Sequence, residues 1–352
     1  MSESLRRLLF FSFYLVYFGV LFKQMCLGSV GGKKMLIRVN KWLEKVMPFI
    51  TPTAVLVGIV LSAWLKDYRY LVTWIFAGMT FIGSLGASFT DLGKVVRQPW
   101  PIVVNLTILH LVMPILGWLA AKLMFPGDVL TETGFILLFA IPTGVVSMVW
   151  VTIYRGNLAL TLALVLVDTL LSPFITPAIL SLFVGAKVQI DVWGMMKGLL
   201  WMVVIPSFLG MALHQLTGGK VKSSWSPNLA PFTKLGLFTV VAINSAVVAP
   251  YLKKAGSGLI FTIAAVFVTV AIGYILGWLV SKLLGWGRDV TVAMTFNSGM
   301  RNLSAGAVLA ISFFPPPVAL PVISGMLFQQ ILASVFGAAL HKAESRTEVT
   351  RT

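Results

Sequence analysis

Apolar residues in this chain gather into long runs separated by short polar stretches, and from Met35 onward there are ten such runs. They cover about 46–65, 70–89, 102–124, 134–153, 158–183, 193–215, 231–252, 258–282, 289–313 and 317–340. Each holds about 20 residues or slightly more, enough at about 1.5 Å rise per residue to cross a hydrocarbon core of roughly 30 Å. Backbone polar groups in lipid must be satisfied within their own segment, so the runs predict transmembrane helices. No stretch between them is long enough for a soluble domain. The pattern predicts an all-α polytopic membrane protein, with one transmembrane unit over 35–345 and a short polar tail over 346–352.

Two runs are interrupted in matching places. The fourth contains Pro142-Thr143-Gly144-Val145-Val146-Ser147-Met148, and the ninth contains Asn297-Ser298-Gly299-Met300-Arg301-Asn302. A proline-rich stretch follows each, SPFITPAIL and FPPPVALPVI. Runs four and nine hold the same position in two sets of five, about 46–183 and 193–340. Five is odd, so the two sets would run through the membrane in opposite senses. This predicts two inverted five-helix repeats with discontinuous helices four and nine crossing near mid-membrane, the arrangement that marks a transporter binding site.

Composition agrees with the pattern. The chain is 58% hydrophobic and 11% charged, with mean hydropathy +0.94. A soluble domain carries about 25% charged residues. The net charge of +16 lies in the stretches between runs, which argues against a nucleic-acid partner. If both termini share a side, that side has thirteen Lys and Arg residues against seven on the other. Positive loops stay in the cytoplasm, so both termini are expected there.

The first 34 residues differ in character from the rest. Gly31-Gly32-Lys33-Lys34-Met35 is encoded by GGN-GGN-AAR-AAR-ATG, which sets a purine-rich GGNGG about seven bases ahead of an ATG. That pattern resembles a bacterial ribosome-binding site read as protein. Residues 1–34 are therefore expected to be a non-native extension, with Met35 the start. The one cysteine, Cys26, falls inside it, so no thiolate metal site or disulfide framework is expected.

Asp168 in the fifth run and Arg301 in the ninth stand deep inside their runs. A charge at the centre of a membrane helix costs roughly 2.5–3.5 kcal/mol on insertion scales, faces protein or water, and takes a partner. The two are expected to pair with each other, or the Arg301 guanidinium to meet the carboxylate of a ligand. His110 is a candidate proton carrier, because an imidazole titrates near physiological pH. Asn105, Asn244, Gln329 and Gln330 are further polar residues within the runs. The chain has no H-E-x-x-H motif and no nucleophile beside a base, so an enzyme is not expected.

The strings IYRGNLALTLALVLVDTLLSPFITPAIL, GMRN, PPPVALPVI and FTDLGKVVRQP resemble the bile acid:sodium symporter family over Met35 to Lys342. The resemblance implies the ten-helix architecture of its bacterial members, a core domain moving against a panel domain, and residence in the bacterial cytoplasmic membrane. It also implies two sodium ions and an organic anion bound beside the crossing. Ser147 and Thr161 fall on family sodium ligands, and Met300 and Asn302 match the ninth-helix motif. Elsewhere the ligands are changed: Met148 replaces an asparagine, Val165 a threonine, Leu109 a glutamine, Asn297 a glutamate and Arg301 a glutamine. Sodium is a hard cation that takes oxygen ligands, as calcium and magnesium do. Methionine, valine and leucine offer no side-chain oxygen. Two like unit charges 4 Å apart repel by about 4 kcal/mol even at an effective dielectric of 20.

Together these readings predict a secondary active transporter that moves a small organic anion by alternating access without ordinary two-sodium coupling. A proton is the candidate coupling ion, with no bound metal, no cofactor and no obligate protein partner. The expected site comprises Ser147, Thr161, Asp168, Asn297, Ser298, Arg301, Asn302 and Gln330. The alternatives are a metalloid or other anion efflux permease of a related fold, and a membrane sensor without flux.

Overall fold

The computed structural model describes residues 40, 50–90, 99–185, 188–254 and 256–349. The extension expected over 1–34 lies outside these. Among the described residues the chain is helical, and its single β feature is one isolated bridge. The helices used below are α1 (Ile50–Val60), α2 (Tyr70–Ser84), α3 (Pro99–Met124), α4 (Val129–Ala140), α5 (Ser147–Ile153) and α6 (Leu158–Val184). They continue with α7 (Val192–Leu216), α8 (Ser226–Lys254), α9 (Gly256–Leu283), α10 (Arg288–Gly299), α11 (Leu303–Phe313) and α12 (Ala319–Val349).

Six helices among the described residues are long and apolar enough to cross a membrane alone: α3, α6, α7, α8, α9 and α12. The first run is bent by 84° between α1 and Ser62–Tyr68, and counting that pair as one span gives seven. Helices α2, α4 and α11 are apolar but shorter. The protein is thus a membrane protein with several spanning helices. Its fourth and ninth apolar runs are not continuous helices. The fourth is split into α4 and α5, and the ninth into α10 and α11.

Sequence explains the local form. Side chains of Asp128, Asn157, Asp191 and Asn302 accept backbone N–H bonds and start α4, α6, α7 and α11. Both α3 and α7 widen into a π turn, at Ile108–Val112 and Leu200–Val204. Each turn lies just ahead of a proline, Pro114 or Pro206. A proline ring crowds the carbonyl four residues back and supplies no N–H, so the helix loosens there. His110 sits inside the first of these turns.

Packing follows burial. Thr131–Ala140 of α4 and Thr291–Gly299 of α10 are buried on every side, so these two half-helices form the centre. α3, α6, α9 and α12 pack around them. α2 packs mainly with α7 and α8, Gly58 of α1 lies against Ala242 of α8, and this group meets the central helices through α6, α11 and α12. Trp74, Trp100, Trp193 and Trp201 project from the outer helices, as lipid-facing and interfacial tryptophans do.

Candidate functional site

The two breaks meet. Residues 141–146 and 300–302 leave the helical path and run antiparallel past each other. The Gly144 N–H donates to the Met300 carbonyl at 3.1 Å, and the Asn302 N–H donates to the Pro142 carbonyl at 2.8 Å. Between these bonds Thr143 stands opposite Arg301. A Cβ at Gly144 would lie 2.8 Å from the Arg301 carbonyl oxygen, so only glycine lets the strands approach this closely. Three of the freed backbone carbonyls take side-chain hydroxyls as partners. The Ala140 carbonyl at the end of α4 accepts from the Thr176 hydroxyl at 2.8 Å. The Thr143 hydroxyl bonds the carbonyls of Asn297 (3.0 Å) and Met300 (2.9 Å).

Asp168 reaches the crossing from α6 and is fully buried. One carboxylate oxygen lies 2.5 Å from His110 Nε2. The other accepts the Thr143 N–H at 2.6 Å. The expected Asp168–Arg301 ion pair is not formed. Asp168 has spent its oxygens on α3 and on the unwound segment of helix four, and it acts on Arg301 only through space.

Arg301 is 3% exposed. Its backbone N–H donates to Gln329 Oε1 at 2.9 Å. Both terminal guanidinium nitrogens are buried with no hydrogen-bond partner among the described residues. A buried cation with two idle donors is costly, because its desolvation is not offset by bonds. His110 Nδ1 and Asn105 Oδ1 are also buried without partners.

A second polar chain joins α5, α6 and α10. The Ser147 hydroxyl donates to Asn297 Oδ1 at 3.0 Å. Asn297 Nδ2 donates to Thr161 Oγ1 at 3.0 Å and to the Ala293 carbonyl at 2.7 Å. On the other side of α10, Asn105 Nδ2 donates to Ser298 Oγ at 2.9 Å.

The structure therefore brings Ser147, Thr161, Asn297, Asp168, His110 and Arg301 to the crossing. Ser298 is engaged with α3, and Asn302 spends its side-chain oxygen on the Ala305 N–H. Gln330 accepts from Trp150 Nε1 at 2.8 Å, and it is the neighbouring Gln329 that holds Arg301. Sequence reasoning missed Thr143. Its position inside the Gly- and Ser-bearing interruption was the available signal, since a hydroxyl there faces freed carbonyls.

A model of the sodium bile acid symporter family matches residues 74–255. The chain belongs to that family. It is 48% identical over 298 residues to the uncharacterized protein YbaS of Bacillus subtilis, covering 85% of this chain and 97% of that one. It is 28% identical over 263 residues to the uncharacterized sodium-dependent transporter YocS of the same organism, covering 74% and 79%. A probable sodium/metabolite cotransporter, BASS2 of Oryza sativa chloroplasts, is 26% identical over 294 residues, covering 79% of this chain and 67% of its own. YocS and BASS2 are named as transporters, not enzymes, and this chain is a membrane-spanning member of a transporter family.

Proposed function

We propose that this chain is a secondary carrier that moves a small organic anion across the bacterial cytoplasmic membrane by alternating access. The observation that carries the reading is the Arg301 guanidinium. It is buried at the crossing of two broken helices, with both terminal nitrogens unbonded. A guanidinium presents two parallel N–H donors that match a carboxylate. The architecture in this reading is ten spans in two inverted five-helix repeats with both termini cytoplasmic. It is supported by the breaks, which fall in the fourth run of each set of five, and by the thirteen-to-seven charge bias.

The donor set argues against a pair of sodium ions. The amide nitrogen of Asn297 points its hydrogens at Thr161 Oγ1 and the Ala293 carbonyl, oxygens that a cation would need. Ser147 spends its proton on Asn297 Oδ1. The fixed positive charge of Arg301 adds repulsion. The chain is a carrier whose cation sites are replaced by its own hydrogen-bond donors.

The test is uptake and exchange in proteoliposomes with a panel of labelled small carboxylates, varying the sodium and pH gradients separately. Saturable exchange that survives removal of sodium and is lost in Arg301→Gln is expected. Steep sodium dependence with a Hill coefficient near two, or exchange untouched by Arg301→Gln, refutes the reading.

A further inference from the structure

His110 and Asp168 have a geometry that the anion site alone does not explain. Asp168 is sealed, with 0% of its side chain exposed, while the His110 side chain is 10% exposed. Their contact is 2.5 Å. The far nitrogen of the ring, Nδ1, is itself buried and has no partner among the described residues. An imidazole that donates from Nε2 keeps a lone pair on Nδ1, and that lone pair can take a proton. The Thr143 N–H on the other carboxylate oxygen ties this pair to the unwound segment. Arg301 stands directly across from that residue.

The neighbouring elements leave this pair as the titratable group at the crossing. α3 itself carries Lys122. Of the helices packed on α3 and α6, α4 carries Glu132, α7 carries Lys197 and His214, α9 carries Tyr274 and Lys282, and α10 begins with Arg288 and Asp289. Among the described residues, only Asp168 is bonded to His110. Four half-helix ends also meet here, and their dipoles oppose in pairs. α5 and α11 bring positive N-termini, while α4 and α10 bring negative C-termini.

Charge can then be counted. With a neutral imidazole, Arg301 and Asp168 sum to zero, so the empty site is neutral. A monocarboxylate on Arg301 makes it negative by one. A proton on His110 restores zero. Buried net charge is what a site must avoid while it moves through a low-dielectric interior. Resting on the anion-carrier reading, we infer that the His110–Asp168 pair is a proton site and that one proton taken up there accompanies each monocarboxylate bound at Arg301. Transport is then electroneutral proton–carboxylate symport. The proton enters at Nδ1, the contact to Asp168 holds the imidazolium, and the proton leaves with the anion on the far side.

The test uses the full chain in proteoliposomes with labelled pyruvate, lactate and benzoate, and protein-free liposomes as the control for acid leak. Counterflow without gradients reports anion exchange. A trapped pH dye reports protons entering per anion. The expected ratio is about one, with uptake driven by an inward proton gradient and indifferent to an imposed membrane potential. Asp168→Asn keeps acceptor and donor atoms but fixes the site in the charge of its protonated form. Its loaded site is neutral and its empty site is positive, so slowed exchange should persist while accumulation and pH dependence are lost. His110→Gln keeps the Nε2-like donor and cannot take the proton, so its uptake should fall and become sensitive to potential. Should no probe exchange, or exchange survive Arg301→Gln, the carrier reading falls and this proposal with it. Exchange that is present but electrogenic, driven by sodium or blind to the pH gradient overturns the proton site alone. If either variant fails to fold, the wild-type proton-to-anion ratio decides.

Discussion

At the scale of single residues the site is governed by two charges with unequal support. Asp168 has two bonds and Arg301 has none on its terminal nitrogens. An unpaired buried ion costs several kcal/mol even after relaxation. Arg301→Gln should therefore raise the melting temperature of the purified, anion-free protein. The same change should abolish stabilisation by bound carboxylate, which at a hundred times Kd adds about 2.7 kcal/mol. A thermal scan with and without ligand checks both, and a lower melting temperature for the variant would show that the guanidinium has a structural partner. Asp168 should behave in the opposite way. Asp168→Leu strands the Thr143 N–H and His110, at about 1–3 kcal/mol for each unsatisfied group, whereas Asp168→Asn can keep both bonds. Denaturation midpoints for the two variants should differ in that order, and equal losses would mean the bonds contribute nothing. Both charges were legible in the sequence because each stands alone in an apolar run. Their pairing was not. The group that captures Asp168 is a backbone N–H, available only because residue 143 lies outside a helix, and His110 reaches Asp168 from a π turn.

At the scale of elements, the crossing depends on the absence of side chains. A Cβ at Gly144 would meet the Arg301 carbonyl at 2.8 Å, and one at Gly299 would run into the Tyr274 ring. Neither neighbour can yield: the first is backbone, and the second is a buried ring whose hydroxyl is bonded to the Gln329 carbonyl. Gly144→Ala and Gly299→Ala should each destabilise the protein by about 1–3 kcal/mol, as overpacking does, and should impair exchange. Gly83→Ala, where nothing lies within 4 Å, should change little. Melting temperatures for the three variants provide the check, and tolerance of alanine at Gly144 would mean the strands can separate without loss. The breaks themselves were readable, because glycine, serine and proline interrupt apolar runs at matching positions. The 84° bend after α1 was not. Ser62-Ala63-Trp64 carries neither proline nor glycine, and the bend comes from the turn at Leu61, which no residue type announces.

At the scale of the whole molecule, the question is what surrounds the crossing. Val145 lies in the unwound segment and is 51% exposed. Irregular backbone does not face hydrocarbon, because its polar groups would go unsatisfied there. On the carrier reading, the exposed side of the crossing opens to water. In a carrier that opening exists on one side of the membrane at a time. Val145→Cys, made with Cys26→Ser, should react with a membrane-impermeant maleimide and should react more slowly when a transported carboxylate is bound. Adding reagent to each side of oriented vesicles separates the alternatives. Labelling that shifts from one side to the other with the gradient is expected of alternating access. Equal labelling from both sides at once, unaffected by ligand, is the behaviour of an open pore and would exclude the carrier. Failure to label from either side would place Val145 in lipid, and the unwound segment would then need a protein neighbour, such as a second copy of the chain, to satisfy it.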